Sequence, residues 1–119
     1  AYNVLLWQGY TKENIHYLNT VNYDVDGNGN VDDVDADATV GNLQDAITNW
    51  AASDAESLVL FLAGHGDRTT FQVQYGVDTQ VLDASDLALW LNDLQNVMPG
   101  RLVVVYEACF AGSFLDSLN

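Results

Sequence analysis

Two short, almost wholly apolar segments constrain the fold of this 119-residue chain more than any other feature. One spans Leu58–Ala63 and the other spans residues 102–106, and both are bounded by glycine or polar residues. Short segments that are apolar at every position are typical of strands covered on both faces, as in a parallel sheet. We therefore expect two neighbouring parallel strands that are joined by a crossover connection.

The segments between and before these strands complete a mixed pattern. Residues 70–75 alternate between polar and apolar side chains and, with residues 80–82, predict a small hairpin. Asp83 is expected to cap a helix that ends at Pro99 and Gly100. The apolar face of that helix consists of Leu87, Leu91, Leu94 and residues 97–98. The upstream elements are predicted to be a helix over residues 2–8 closed by Gly9, a strand over 14–18, and a helix from Thr39 or Asn42 to Trp50.

Together these elements predict an α/β protein with a three-layer α/β/α, flavodoxin-like arrangement around a mostly parallel sheet. The chain opens inside a predicted helix and stops soon after the second apolar strand. We therefore expect residues 1–119 to be one incomplete domain, truncated at both ends.

The charge balance narrows the range of partners. Lys and Arg number 3 against 17 Asp and Glu, which gives a net charge of −14. Nucleic acids and anionic membranes attract clustered basic residues, so neither is an expected partner. No segment approaches the roughly 18 uninterrupted apolar residues of a transmembrane helix, so no membrane span is predicted.

Two reactive side chains follow the apolar strands. His65 stands between two glycines after the first strand, and Cys109, the one cysteine, follows the second. Ligands and chemistry in open α/β sheets gather at the carboxyl ends of the strands. If the strands are neighbours, an imidazole and a thiol share one rim of the sheet, where the imidazole increases the thiolate fraction. The backbone N–H groups of Gly66 and Cys109 are candidates for an oxyanion hole.

Less specific explanations exist for these residues. A lone cysteine at a strand end is often a buried packing residue, and glycines often mark an ordinary turn. His16, in the predicted strand 14–18, is interpreted as a surface or core histidine. The coincidence of His65 and Cys109 at two adjacent strand ends keeps catalysis open beside the structural explanation.

The residues at these strand ends resemble a known family. His65 between Gly64 and Gly66, and the sequence Tyr-Glu-Ala-Cys-Phe-Ala-Gly-Ser at 106–113, resemble legumain-like (C13) cysteine peptidases of the caspase-like clan. Residues 9–18 and 35–51 resemble bacterial and archaeal members. The resemblance spans nearly the whole chain and implies a caspase-like α/β/α fold.

The resemblance also implies an activity. It implies a cysteine endopeptidase that hydrolyses peptide bonds through an acyl-thioester, with Cys109 as the nucleophile and His65 as the general acid and base. Gly66 is implied to donate its N–H group in the oxyanion hole. Glu107 matches a family position near the pocket for the substrate side chain, where a carboxylate receives a polar or basic group. A carboxylate that is merely paired at the rim of the sheet is the alternative.

Residues 24–35 fit a twelve-residue calcium loop of the EF-hand type, without the flanking helices. Gly29 provides the sharp turn at the sixth position, and the twelfth position is Asp instead of the longer Glu. A solvated acidic turn is the alternative, although carboxylates this close repel one another without a cation. The predicted ligands of a structural Ca²⁺ are Asp24, Asp26, Asn28, Asp32, Asp35 and the backbone carbonyl of Asn30.

Two functions of different classes follow. The first is a calcium-stabilised cysteine endopeptidase with polypeptide substrates, and the calcium dependence suggests an extracellular, periplasmic or cell-surface location. The second is a non-catalytic, caspase-like module for calcium-dependent adhesion or assembly. A flavodoxin-type cofactor domain is disfavoured, because no glycine-rich phosphate loop precedes a helix.

Overall fold

The computed structural model describes residues 1–74 and 79–118 of the chain. Its strands form two sheets, a parallel pair and an antiparallel triplet. The helices are α1 (Tyr2–Trp7), α2 (Val40–Asp45), α3 (Ala52–Asp54), α4 (Ala84–Val97) and α5 (Ala111–Asp116), with a 3-10 helix at Lys12–Asn14 and a π-helix at Ala46–Ala51. The strands are β1 (Leu58–Ala63), β2 (Gly66–Asp67), β3 (Thr70–Gln74), β4 (Gln80–Asp83) and β5 (Leu102–Glu107).

Strands β1 and β5 confirm the prediction of two neighbouring parallel strands. They pair in register from Leu58 opposite Leu102 to Ala63 opposite Glu107. The chain between them passes through the antiparallel sheet and α4, as expected for a crossover connection. Because both strands run in the same direction, their carboxyl ends lie side by side.

The prediction that both faces of these strands are covered is wrong for the described residues. Leu62 is buried, whereas Phe61 and the facing Val105 are 41% and 36% exposed. Helices α2, α4 and α5 and the π-helix contribute to one hydrophobic cluster, which contacts the inward-pointing side chains of the sheet. Side chains along each strand alternate between the buried and the exposed face, and this alternation cannot be seen in a sequence that is apolar at every position. The outward face consists of Val59, Phe61, Val103 and Val105.

The described chain is therefore a mixed α/β domain without a clear three-layer, caspase-like arrangement. A two-stranded parallel sheet and a separate antiparallel sheet stand in place of the expected mostly parallel sheet. The predicted hairpin is confirmed, since β3 pairs with β4 from Thr70 opposite Asp83 to Gln74 opposite Gln80. Tyr75, the end of the predicted first hairpin strand, lies outside the described residues.

Helix α4 forms where the sequence predicts it. The Asp83 carboxylate accepts a hydrogen bond from the Ser85 backbone N–H at 2.9 Å, which caps the first turn. The helix has 14 residues and ends at Val97, two residues before the proline. No described helix is both long enough and apolar enough to cross a membrane. The buried side chains of α4 are Ala84, Leu87, Trp90, Leu91 and Leu94.

The two upstream helices are also confirmed. Helix α1 ends at Trp7, and Gly9 shortly after it has a φ of +100°, a conformation that suits glycine behind a helix. The Thr39 hydroxyl accepts a hydrogen bond from the Asn42 backbone N–H at 3.0 Å. Thr39 is therefore the cap of α2, and Asn42 lies inside the helix.

The predicted strand over residues 14–18 is wrong. In the described chain, this segment contributes a single isolated bridge, between Leu18 and Ala36. The Tyr17 backbone N–H donates instead to the Asp35 carboxylate at 2.7 Å. The Tyr17 carbonyl accepts a hydrogen bond from the Asp35 N–H at 2.8 Å, and the Asn19 N–H donates to the Ala36 carbonyl at 3.2 Å, so the backbone pairing is limited to this one bridge.

Candidate functional site

The carboxyl ends of β1 and β5 carry the two residues singled out from the sequence. His65 lies between β1 and β2, and Cys109 lies between β5 and α5. Both residues are exposed, so Cys109 is not the buried packing residue of the alternative explanation. The His65 carbonyl accepts a hydrogen bond from the Gln72 backbone N–H at 2.9 Å, which fixes the backbone of His65 against β3.

Gly66 joins the two strand ends. A Cβ atom added at Gly66 would lie 2.7 Å from the Cys109 carbonyl oxygen and 2.7 Å from the Tyr106 hydroxyl. Such distances leave no room for a side chain, so the Gly66 backbone packs directly on the loop that bears Cys109. His65, next to Gly66, therefore lies on the same rim of the sheet as Cys109.

Aromatic rings support this rim from the core. The ring centroid of Tyr106 lies 4.3 Å from that of the fully buried Phe114 and 5.6 Å from that of Phe71. Burial, and to a smaller extent the electrostatic interaction with the nearby Cys109, raise the pKa of Tyr106. Tyr106 was not predicted from the sequence as a supporting residue, although its position in β5, one of the two apolar strands, was an available signal.

Glu107 occupies the last position of β5 and is exposed. Its backbone carbonyl accepts a hydrogen bond from the Gly64 N–H at 3.2 Å, which extends the pairing of the strand ends. The three ion pairs of Lys12 do not involve Glu107. The two surface clefts beside α4 are lined by residues other than His65, Glu107 and Cys109.

The acidic loop brings three carboxylates together at a second place. Asp24, Asp26 and Asp33 have oxygen atoms within 4.8 Å of one another, a spacing that can hold a metal ion. Asp33 is 2% exposed and accepts hydrogen bonds from the backbone N–H groups of Val25 at 2.7 Å and Asp26 at 3.1 Å. The loop pattern does not include Asp33 among the predicted ligands, because it assigns ligands by spacing alone.

Hydrogen bonds fix the turn of this loop as the glycine pattern predicts. Gly29 has a φ of +92°, and its N–H donates to the Asp24 carboxylate at 2.8 Å. The Asn28 amide donates to Asp26 at 3.0 Å, and the Asn28 side-chain oxygen accepts from the Asn30 N–H at 2.8 Å. Four of the predicted ligand residues are therefore neighbours within one turn.

Two of the predicted ligands do not join the carboxylate cluster. Asp35 accepts the hydrogen bond from the Tyr17 N–H described above. Asp32 is largely exposed and lies 2.8 Å from the Lys12 ammonium. The group of three carboxylates therefore contains Asp33 where the loop pattern assigns Asp32 and Asp35.

Lys12 supplies positive charge to these carboxylates. Its Nζ atom lies 2.9 Å from Asp33 and 3.4 Å from Asp26, in addition to the contact with Asp32. Hydrogen bonds to Asp32 and Asp33 raise the pKa of Lys12. The loop pattern predicts a metal ion as the counter-charge and does not point to Lys12, although Lys12 is the one lysine of the chain.

Asp33 is expected to make the stability of the protein depend on pH in acid. Burial works to raise the pKa of this carboxyl, but hydrogen bonds from Lys12 and the backbone outweigh burial and lower the pKa to about 2. In the unfolded chain the carboxyl binds its proton near pH 4 (roughly 3.9). The unfolded state therefore binds more protons between about pH 4 and pH 2, and the free energy of unfolding falls as the pH drops through that window.

Thermal melting across this pH window checks the prediction. Asp33→Asn is expected to flatten the pH dependence, whereas Asp116→Asn, at an exposed carboxylate, is expected to leave it unchanged. Equal slopes in the wild type and in Asp33→Asn contradict the assignment.

Comparison with known proteins identifies no relative. The chain matches no family model, no curated protein and no solved structure. The two candidate sites, the rim with His65 and Cys109 and the acidic loop, are therefore defined by their own residues and geometry.

Proposed function

We propose that this chain carries the active site of a cysteine endopeptidase, with Cys109 as the nucleophile and His65 as the general acid and base. The packing of Gly66 on the Cys109 carbonyl supports this most strongly, because it brings two exposed strand-end residues onto one rim. A thiol and an imidazole so placed are the groups that nucleophilic catalysis requires. The resemblance to legumain-like (C13) peptidases agrees with this assignment.

The proposed reaction proceeds in two halves. His65 takes the thiol proton, the Cys109 thiolate attacks the carbonyl carbon of the peptide bond, and the N–H groups of Gly66 and Cys109 donate to the oxyanion. The C–N bond then breaks as the His65 imidazolium gives its proton to the leaving amine, and an acyl-thioester is left. Water, activated by His65, attacks the thioester, so the carboxylic acid product and the free thiol are released.

The proposed substrate is a polypeptide with a polar or basic side chain near the scissile bond. Glu107 lies two residues before Cys109 on the same strand end, and its exposed carboxylate is the proposed partner of that side chain. The net charge of −14 also favours the approach of cationic segments.

The proposed architecture is the three-layer, caspase-like arrangement of these peptidases. The parallel pair β1 and β5 is its proposed centre, with the helices around α4 as one outer layer. Parallel sheets are normally covered on both faces, and the exposed apolar face of β1 and β5 is the place where a second layer would pack.

The peptidase proposal is tested by incubating the folded chain with a peptide mixture and identifying the products by mass spectrometry. We expect cleavage by the wild type, no cleavage by Cys109→Ser, and labelling of Cys109 by iodoacetamide faster than labelling of free cysteine. Absence of cleavage contradicts the proposal, and labelling no faster than that of free cysteine would then show that the thiol is not activated. That result favours the non-catalytic module for adhesion or assembly, which the separate acidic loop supports.

We also propose that the acidic loop binds a structural Ca²⁺, with Asp24, Asp26 and Asp33 as its carboxylate ligands. Calcium prefers six to eight hard oxygen ligands, and Asn28 and the Asn30 carbonyl are the proposed neighbours that complete the set. Lys12 would then either keep its ion pairs with Asp26 and Asp33 beside the bound ion or lose them. A calcium-dependent fold agrees with an extracellular, periplasmic or cell-surface location, where calcium is abundant.

Removal of calcium is expected to lower the melting temperature, and added calcium is expected to restore it. At a hundredfold excess over the Kd, binding to the folded state alone adds about 2.7 kcal/mol to the free energy of unfolding. Calorimetry with a chelator, and then with millimolar calcium, measures this effect. Asp24→Asn should lose the response and Asp116→Asn should keep it, whereas a wild type that does not respond rules out the site.

A further inference from the structure

Phe110, the residue after Cys109, has a backbone conformation that large side chains rarely adopt. Its φ is +59° and its ψ is +32°, in the left-handed region, which costs free energy for a residue with a Cβ atom. The other described non-glycine residue with a positive φ is Thr69, in the tight turn between β2 and β3. The described glycines with positive φ are Gly9, Gly27 and Gly29.

The fold explains why the chain turns at Phe110, but it does not explain why a phenylalanine occupies this position. Here the chain turns from β5 into α5, and the Phe110 carbonyl accepts hydrogen bonds from the Ser113 hydroxyl at 3.0 Å and the Phe114 N–H at 3.2 Å. Glycine or asparagine adopts such a conformation at lower cost. The Phe110 side chain is 54% exposed, so burial in the core does not offset the cost as it would for the fully buried Phe114.

The exposed ring belongs to the residue next to Cys109, the proposed nucleophile. Phe110 follows the nucleophile directly, and the Cys109 carbonyl of the same loop contacts Gly66 beside His65. Unfavourable backbone conformations persist at functional sites where the side chain or the geometry is needed. In the chain, Glu107 lies two residues before Cys109 and Phe110 lies one residue after it.

We propose that the Phe110 ring is a specificity-determining contact, which favours peptides with an aromatic or large aliphatic side chain within two residues of the scissile bond. This proposal rests on the proposed peptidase function and adds a substrate preference to it. Contact between an apolar side chain and the ring removes apolar surface of both from water, and this stabilises the bound peptide.

Internally quenched peptides test the preference. Each peptide of a pair has the same basic residue at the cleavage point, and the neighbouring positions carry either leucine or phenylalanine in one member and serine in the other. We expect the wild type to cleave the apolar member with about tenfold higher kcat/KM, mainly through KM. Phe110→Asn, which suits the left-handed conformation and lacks the ring, should reduce this ratio towards one.

Controls separate recognition from folding and from thiol chemistry. Phe110→Trp keeps an aromatic ring and should keep the preference, and the ratio within each variant cancels any change in thiol reactivity. Phe110→Gly repeats the comparison if Phe110→Asn does not fold. Cleavage with the same ratio in the wild type and in Phe110→Asn overturns the Phe110 proposal alone. Absence of cleavage by the wild type overturns this proposal and the proposed function together.

Discussion

His65→Ala is expected to lower kcat for peptide cleavage by about 10⁴-fold or more. The variant lacks both the base that takes the Cys109 proton and the acid that protonates the leaving amine, and the two losses affect successive steps. His16→Ala is the matched control, because it removes the other histidine of the chain, whose ring lies 5.0 Å from that of Trp50. We expect kcat of this control to stay close to the wild-type value.

Steady-state cleavage of a fluorogenic peptide by both variants measures the difference, with melting curves to verify that each is folded. If the two histidine variants lose activity equally, or if His65→Ala keeps wild-type kcat, His65 is not the general acid and base.

Gly66→Ala is expected to disturb the rim and the stability of the fold together. The added methyl group would lie 2.7 Å from the Cys109 carbonyl oxygen, 2.7 Å from the Tyr106 hydroxyl and 2.9 Å from the Ala108 Cβ atom. Relief of such overlap requires backbone movement, which costs about 1–3 kcal/mol. Displacement of the nucleophile by about 1 Å reduces kcat/KM by about 10²-fold.

Gly112→Ala is the matched control for this substitution. An added Cβ at Gly112 meets no atom within 4 Å, and the residue lies in α5, where alanine is favoured over glycine by about 0.5–1 kcal/mol. We therefore expect Gly112→Ala to melt at or above the wild-type temperature. Chemical denaturation gives both free energies, and a Gly66→Ala variant as stable and as active as the wild type contradicts the packing of the two loops.

The sequence predicts the helices and strands of this fold whose formation depends on residues close together in the chain. Asp83 caps the helix that it is expected to begin, because capping depends on a few adjacent residues. Of the two predicted starts of the upstream helix, Thr39 and Asn42, Thr39 is the cap. The parallel pairing of β1 and β5 follows from two apolar segments and one crossover. The strand predicted at residues 14–18 is reduced to a single bridge between Leu18 and Ala36, a pairing with a segment that is distant in the sequence.

The sequence does not reveal how the layers are arranged, because a continuous apolar run looks the same whether one face of a strand is covered or both. Phe61 and Val103 are exposed even though they belong to such runs. The three-layer expectation therefore depends on coverage that a periodicity argument cannot supply. The coarser α/β assignment needs only the types and order of the elements, and it is confirmed.

The sequence predicts those parts of the candidate sites that depend only on strand order or on spacing within one loop. Adjacent carboxyl ends are enough to bring His65 and Cys109 to one rim, and the loop pattern is enough to identify Asp24 and Asp26. Tyr106, Asp33 and Lys12 were missed as partners, because their contacts arise from tertiary packing between segments. No spacing rule within one segment describes such contacts.

Trapping of the reaction intermediate tests the central claim most directly. The chain is mixed with a cleavable peptide, quenched in acid during turnover, and digested for mass spectrometry. We predict that a fraction of Cys109 carries the acyl part of the substrate, that neutral hydroxylamine removes it, and that Cys109→Ser neither forms the adduct nor cleaves the peptide. Cleavage that proceeds with Cys109 unmodified, and that persists in Cys109→Ser, would contradict the assignment of Cys109 as the nucleophile.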